Sequence, residues 1–170
     1  MRVPQRRITL LSVTCWLLGS LLLSGFEKPA VRVESSAVGP RTLESQTEKA
    51  VVRDYLKSWQ TLSHALSQNR ADLLDADFVG VAREKLVDTV RQQRELGMQT
   101  QYQDRSHDLS LVFYSPEGLS VQLTDTVEYD VQIKDHDQTW VTQHLRTRYV
   151  VVLTPTEVQW KVRLLQAGPE

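Results

Sequence analysis

The sequence predicts an α+β domain in which N-terminal helices pack in a curved antiparallel sheet of about four strands. Two observations carry this prediction. Residues 46–96 contain two stretches with apolar side chains at intervals of three and four, the period of an amphipathic helix. Residues 109–165 then alternate apolar and polar side chains, the period of strands buried on one face. Because turns follow one another closely along this second part, we expect a meander that wraps the helices.

The helical part divides into two helices. Ser45 and Glu48 have the spacing of a capping box, so the first helix is expected to begin there and to run to about Ser67. Gly97 is a suitable C-terminal cap for the second helix. The predicted buried stripes are Val51, Tyr55, Trp59, Leu62 and Leu66 in the first helix and Val79, Ala82, Leu86 and Val90 in the second.

Four strands are expected within residues 108–166, with turns at 115–118, 135–137 and 154–157. A register that keeps the apolar phases aligned pairs Phe113 with Leu119. The same alignment places His107 opposite Asp125. On the other side, matching Ile133 with Thr139 places Asp125 opposite Thr147.

The N-terminal residues indicate a membrane anchor. Residues 8–26 carry no charge and follow Arg2, Arg6 and Arg7, so they are expected to span the membrane with the arginines in the cytoplasm. A cleaved signal peptide, and hence a secreted protein, is the alternative. Residues 27–44 are interpreted as a flexible linker and residues 45–166 as the folded domain. The domain would then lie in the periplasm or at the cell exterior, on a single-pass membrane protein.

Composition excludes several classes of function. The formal net charge is −1 with 20 basic and 21 acidic residues, which does not favour a nucleic-acid binder. The one cysteine, Cys15, lies in the N-terminal apolar run, so the domain has no disulfide and no thiolate. His64 and His136 have no second ligand at metal-binding spacing, and no phosphate-binding loop or HExxH motif occurs. We therefore expect neither a metal nor a cofactor.

Asp125 is the candidate for chemistry, because it falls in the apolar phase of the second strand of the meander. With His107 opposite, it would form the kind of buried pair that general acid–base catalysis needs, provided that the pair lines an open pocket. The residues expected around such a pocket are Tyr55, Trp59, Tyr129, Thr147 and Tyr149. The alternative is that Asp125 is a hydrogen-bonded structural carboxylate, and that Tyr55 and Trp59 are core residues.

The outer face of the third predicted strand is the candidate for partner binding. It carries Trp140, His144, Arg146 and Arg148, with Glu128 of the neighbouring strand expected opposite His144. Trp140 would anchor a protein partner or a second copy of the chain. The alternative is a solvated face with weak cross-strand ion pairs.

The domain resembles the nuclear transport factor 2-like superfamily, a cystatin-like α+β cone that includes SnoaL-like polyketide cyclases and ketosteroid isomerases. The resemblance rests on Tyr55 and Trp59 in the first helix, the Arg146-Thr147-Arg148-Tyr149 strand and the terminal Trp160-Lys161-Val162, and it covers residues 45–166. The layout is similar to that of membrane-anchored, non-catalytic domains such as VirB-type secretion-channel components and plastid-division proteins. The resemblance implies a scaffold or binding module in an envelope assembly. A small-molecule binder or an isomerase-like enzyme is the alternative.

Overall fold

The computed structural model describes residues 28–35, 39, 41–136 and 138–168. The predicted membrane segment, residues 1–26, lies outside these ranges. Within them, no helix is both long enough and apolar enough to cross a membrane.

The predicted α+β architecture is confirmed, with a layer of helices followed by one sheet. The helices are α1 (Ser45–Ser67), a 3-10 helix (Ala71–Ala76) and α2 (Gly80–Glu95). The strands are β1 (Ala30–Glu34), β2 (Met98–Tyr114), β3 (Val121–Asp135), β4 (Gln138–Pro155) and β5 (Trp160–Ala167). They form one sheet in the order β1-β2-β3-β4-β5, in which β2 to β5 are the predicted antiparallel meander.

The interpretation of residues 27–44 as a flexible linker is corrected at β1. Ala30–Glu34 pairs in parallel with residues 106–110 of β2 and covers that part of the edge of the sheet. Val31 and Val33 favour an extended backbone, and the unpaired groups of β2 supply the hydrogen-bonding partners. Within the described ranges the sheet therefore has five strands, one more than the sequence indicated.

The predicted register is also corrected. Phe113 pairs with Gln122, and Leu119 precedes β3 and is not part of it. Asp125 consequently lies opposite Leu109 on β2 and opposite Tyr149 on β4, where His107 and Thr147 were expected. Two irregularities, between Asp104 and Ser106 and between Leu111 and Phe113, each insert a residue that alternation alone does not reveal.

The core lies between α1 and the concave face of the sheet. All five residues of the predicted α1 stripe are buried, and Gly97 has φ +70° just after α2, as a C-terminal cap requires. In α2 the buried residues are Ala82, Val87, Val90 and Gln93, whereas Leu86 is only half-buried. The backbone N–H of Trp160 donates to the buried Asp54 of α1 at 2.9 Å, which ties the start of β5 to the helix.

Candidate functional site

Asp125 lies at the centre of β3 with its side chain inside the cone and no solvent exposure. The Tyr55 hydroxyl, from the middle of α1, donates to Asp125 Oδ2 at 2.8 Å. His107 Nδ1, from β2, lies 2.7 Å from the same oxygen. Helix and sheet therefore meet at one carboxylate.

The pair expected from the sequence does form, although not as direct cross-strand neighbours. His107 is opposite Val127 and Asp125 is opposite Leu109, so the two side chains meet across the diagonal of the β2–β3 ladder. Diagonal neighbours on one face of a sheet lie within reach of long or aromatic side chains. The alternation of apolar and polar residues placed both side chains on the buried face of the sheet, and this was enough to predict their contact although the predicted register was wrong.

Asp104 is a member of the cluster that sequence reasoning missed. Its Oδ2 lies 3.8 Å from His107 Nε2, on the other side of the imidazole ring. Residues three apart in a regular strand point to opposite faces, but the bulge at Arg105 returns Asp104 to the face of His107. A signal for this bulge would have been the polar run 99–106, which does not alternate.

The electrostatics of the cluster favour a charged histidine. Burial acts to lower the pKa of His107, but the hydrogen-bonding and charge interactions with Asp104 and Asp125 outweigh it and raise that pKa to about 9. Burial and the charge of Asp125 raise the pKa of the Tyr55 hydroxyl well above its usual value, which keeps Tyr55 a donor. At neutral pH His107 is therefore an imidazolium between two carboxylates.

Aromatic side chains cover this cluster. The Trp59 ring lies with its centroid 5.5 Å from that of His107 and 5.4 Å from that of Tyr149. The Tyr129 hydroxyl lies 3.3 Å from both Thr147 Oγ1 and the Tyr149 hydroxyl. All five predicted pocket residues thus gather around the pair, but they fill the interior, and His107 is only 2% exposed. His107 and Asp125 therefore belong to a packed polar core, and their side chains do not line an open pocket.

The outer face of β4 has the opposite character. Trp140 is 68% exposed, and the side chains of His144 and Arg146 are also largely in solvent. The expected pairing of Glu128 with His144 is corrected: Glu128 lies opposite Arg146, with a closest N–O distance of 3.7 Å. His144 lies instead opposite Asp130, with Nδ1 3.0 Å from its carboxylate. One residue of this shift of two comes from the bulge at Trp140, and the other comes from the turn, where Asp135 pairs with Gln138.

Asp130 is the central anion of this face. Arg105 Nε donates to it at 2.8 Å from one side, and His144 approaches it from the other. Hydrogen bonds from Arg105 and His144 lower the pKa of the Asp130 carboxyl. Beside these charges lies a shallow depression of about 400 Å³ whose lining includes Arg32, Glu128 and Arg146.

Comparison with known proteins defines the fold. No family model matches the chain, and no curated protein matches it. Among solved structures, it is similar to the intermembrane-space region of the chloroplast protein ARC6, with TM-score 0.61, 15% identity, and 76% of this chain and 100% of that chain covered. It is also similar to a putative scytalone dehydratase from Novosphingobium aromaticivorans, with TM-score 0.53, 14% identity, and 74% and 89% covered. Aln2 from a Streptomyces species gives TM-score 0.50 at 11% identity, with 75% and 94% covered.

These likenesses establish the α+β cone of nuclear transport factor 2-like, SnoaL-like and cystatin-like proteins as the fold of the described part of the chain. One of these structures is named as a dehydratase, and another is the intermembrane-space region of a chloroplast protein. At these identities the fold is shared, and the function has to be argued from the site.

Proposed function

We propose that the domain is a membrane-tethered, extracytoplasmic binding module that docks a protein partner of an envelope assembly through the outer face of β4. The docking residues are Trp140, His144, Arg146 and Arg148. The observation that carries the proposal is the exposure of Trp140, 68% of whose surface is in solvent although the sheet has a buried face available. Tryptophan and arginine are the residue types most enriched at the energetic centres of protein interfaces.

The charges around Trp140 support docking because they are held in place before a partner arrives. His144 is bound to Asp130, and Arg146 lies beside Glu128. Side chains that are already oriented lose less conformational entropy on binding. A side chain of the partner would fit into the depression next to Arg146.

The contrast with the interior supports the same proposal. Trp59 and Tyr149 cover His107 and Asp125, so the polar side chains inside the cone are buried among packed rings. The exposed and ordered polar groups are on the outside of the sheet. A module that acts by contact uses that surface.

The proposed position of the domain outside the cytoplasm, on a membrane anchor, rests on the uncharged residues 8–26 and the arginines before them. The likeness to an intermembrane-space region is in keeping with a domain held next to a membrane. Carbonate extraction and N-terminal sequencing of the mature chain test this part. A soluble chain that begins after Gly25 would replace the anchor by a signal peptide.

Site-specific photo-crosslinking of the full chain in native membranes tests the docking surface. A crosslinking side chain at position 140 should give a defined adduct that is lost in the Arg146→Glu variant, while the same group at position 81 on α2 should not give it. Val81 is a matched control, since it too is an exposed apolar side chain. The cellular phenotype of a deletion should be rescued by the wild type and not by Arg146→Glu. An adduct pattern that is the same from both positions, or full rescue by Arg146→Glu, would contradict the proposal.

A second candidate function is the binding of a small hydroxyl-bearing molecule inside the cone, next to His107 and Asp125. It is favoured by two carboxylate oxygens, Asp104 Oδ1 and Asp125 Oδ1, which are buried and have no hydrogen-bond partner among the described residues. Buried acceptors of this kind call for a donor, and a ligand hydroxyl would supply one. Trp59 would have to move to admit it.

Thermal unfolding with a panel of small alcohols and hydroxyketones tests this second candidate. A ligand should raise the melting temperature of the wild type and not that of Asp125→Asn, because the variant replaces one of the acceptors. If no compound shifts the wild type, or if Asp125→Asn responds equally, the interior is only a core.

A further inference from the structure

One edge of the sheet is open along β4. β5 pairs with residues 149–155 of β4, and Gly168 bonds to the carbonyl of Arg148, so residues 138–147 have no neighbour on that side within the described part of the chain. At the opposite edge, β1 covers residues 106–110 of β2. An uncovered strand presents a row of backbone donors and acceptors to other chains.

The backbone groups of this segment point outwards at alternate residues. The carbonyl of Arg148 accepts a hydrogen bond from the N–H of Gly168 at 2.8 Å, on the side where β5 runs. Because strand residues alternate in direction, the N–H and C=O groups of Arg146, His144 and Thr142 point to the same side, where β5 has ended. They are the groups that a further strand would bind.

We propose that β4 pairs with β4 of a second copy of this chain, antiparallel about a two-fold axis at Gln143. The two sheets then join into one. This deepens the proposed function and rests on it, since it identifies the partner of the same surface as the protein itself. The symmetry is isologous, so each contact occurs twice.

The side chains favour this register. With Gln143 on the axis, Thr142 lies opposite His144 of the second copy, and Val141 lies opposite Leu145. Both Val141 and Leu145 are half-buried, so pairing would complete their burial on one face. On the other face Trp140 comes beside Arg146 of the second copy, in reach of a cation–π contact.

Neighbouring registers are worse. An axis at His144 places two histidines opposite each other, and an axis at Thr142 sets Val141 against Gln143. The register at Gln143 pairs residues 139–147, up to the Arg148 carbonyl that Gly168 occupies, and it opposes no two like charges. The segment also contains no lysine and no proline, the residues that commonly protect exposed edges from such pairing.

Disulfide trapping tests the register in the full chain, purified in detergent micelles. In a Cys15→Ser background, Gln143→Cys should form a disulfide dimer under mild oxidation. In the pair on the axis the Cα atoms would be about 4.5 Å apart, which a disulfide spans. Thr147→Cys is the matched control on the same face of the strand, with Cα atoms roughly 26 Å apart in the dimer. Val141→Cys mixed with Leu145→Cys should give more dimer than either alone.

A second pair of variants removes the reliance on cysteine. Thr142→Pro deletes an outward N–H that only a second strand would use, and Thr142→Val keeps it. Sedimentation should show the wild type and Thr142→Val as dimers and Thr142→Pro as a monomer with the same circular dichroism spectrum. A wild-type monomer at about 100 µM, a weak affinity for an interface, would overturn the proposal. So would equal trapping at positions 143 and 147.

The outcomes also separate this inference from the proposed function. If position 143 is not trapped but position 140 gives an Arg146-dependent adduct with a different protein, β4 docks another partner and self-pairing is wrong. If neither occurs, both are wrong. If position 143 is trapped and the adduct from position 140 has twice the mass of the chain, both stand.

Discussion

His107 Nδ1 lies 2.7 Å from Asp125 Oδ2 in a part of the cone where the two side chains are almost completely buried. Removing one partner of such a buried pair is costly, because it leaves the other charge uncompensated in the interior. Here Tyr55 donates to the same carboxylate and Asp104 flanks the ring from the other side. The cluster therefore fixes α1, β2 and β3 relative to one another.

Asp125→Asn should lower the free energy of unfolding by about 3–5 kcal/mol, because it removes the nearer of the two carboxylates beside the buried His107 imidazolium. Asp72→Asn is the control, since Asp72 pairs with Arg70 on the surface and its loss should change the stability far less. Urea unfolding at pH 7 measures both. Equal effects would mean that the buried pair contributes nothing special.

Tyr55→Phe should cost about 1.5–3 kcal/mol, because it removes a hydrogen bond to a buried charged acceptor. Tyr149→Phe removes only a longer hydroxyl–hydroxyl contact of 3.3 Å and should cost about 1 kcal/mol or less. Chemical unfolding of the two variants gives the comparison. A larger loss for Tyr149→Phe would contradict the assignment of Tyr55 to the cluster.

The stability should depend on pH through His107. Its pKa in the folded protein, about 9, is above the ordinary histidine value, so the charged form stabilises the fold fully below about pH 6.5. That contribution is lost as the pH rises through 9. The difference in unfolding free energy between wild type and His107→Gln should therefore shrink by about 3 kcal/mol or less from pH 6.5 to 9.5. A difference that stays constant would show that His107 is neutral in the folded state.

Trp160→Ala should cost on the order of 3–5 kcal/mol, because the ring is 9% exposed in the core beside Tyr114. Trp140→Ala makes the same chemical change at an exposed position and should cost less than about 0.5 kcal/mol. Thermal or urea unfolding of the two variants decides. Comparable losses would place Trp140 in the core and remove it from the docking surface.

The helices and the main strands could be predicted because their apolar periods are long and regular. The α1 stripe from Val51 to Leu66 and the alternation of β3 leave little choice of structure. β1 could not be predicted, because five residues in a stretch rich in proline, serine and glycine acquire a structure only from the edge of β2. The predicted β2–β3 pairs were wrong mainly because the connection between the strands spans residues 115–120 and is longer than the predicted turn. Phe113 is displaced by three positions along β3 and His107 by two.

The candidate site was predicted in part for the same reason. An aspartate in the apolar phase of β3 indicates a buried carboxylate whatever the register, and His107 shares its face. Whether the pair lines a cavity depends on side-chain volumes in three dimensions, and the rings of Trp59 and Tyr149 decide it here. Asp104 stayed hidden because only the bulge turns it inwards.

The central claim is that a binding partner covers residues 141–147 of β4, the part of the strand that β5 does not reach. Amide hydrogen exchange of the full chain in native membranes tests this most directly. The internal reference is residues 98–104 of β2, which have no strand beside their outer edge within the described residues. We expect residues 141–147 to exchange much more slowly than residues 98–104, and Arg146→Glu to abolish the difference. Equally fast exchange of the two stretches in the wild type would contradict the account.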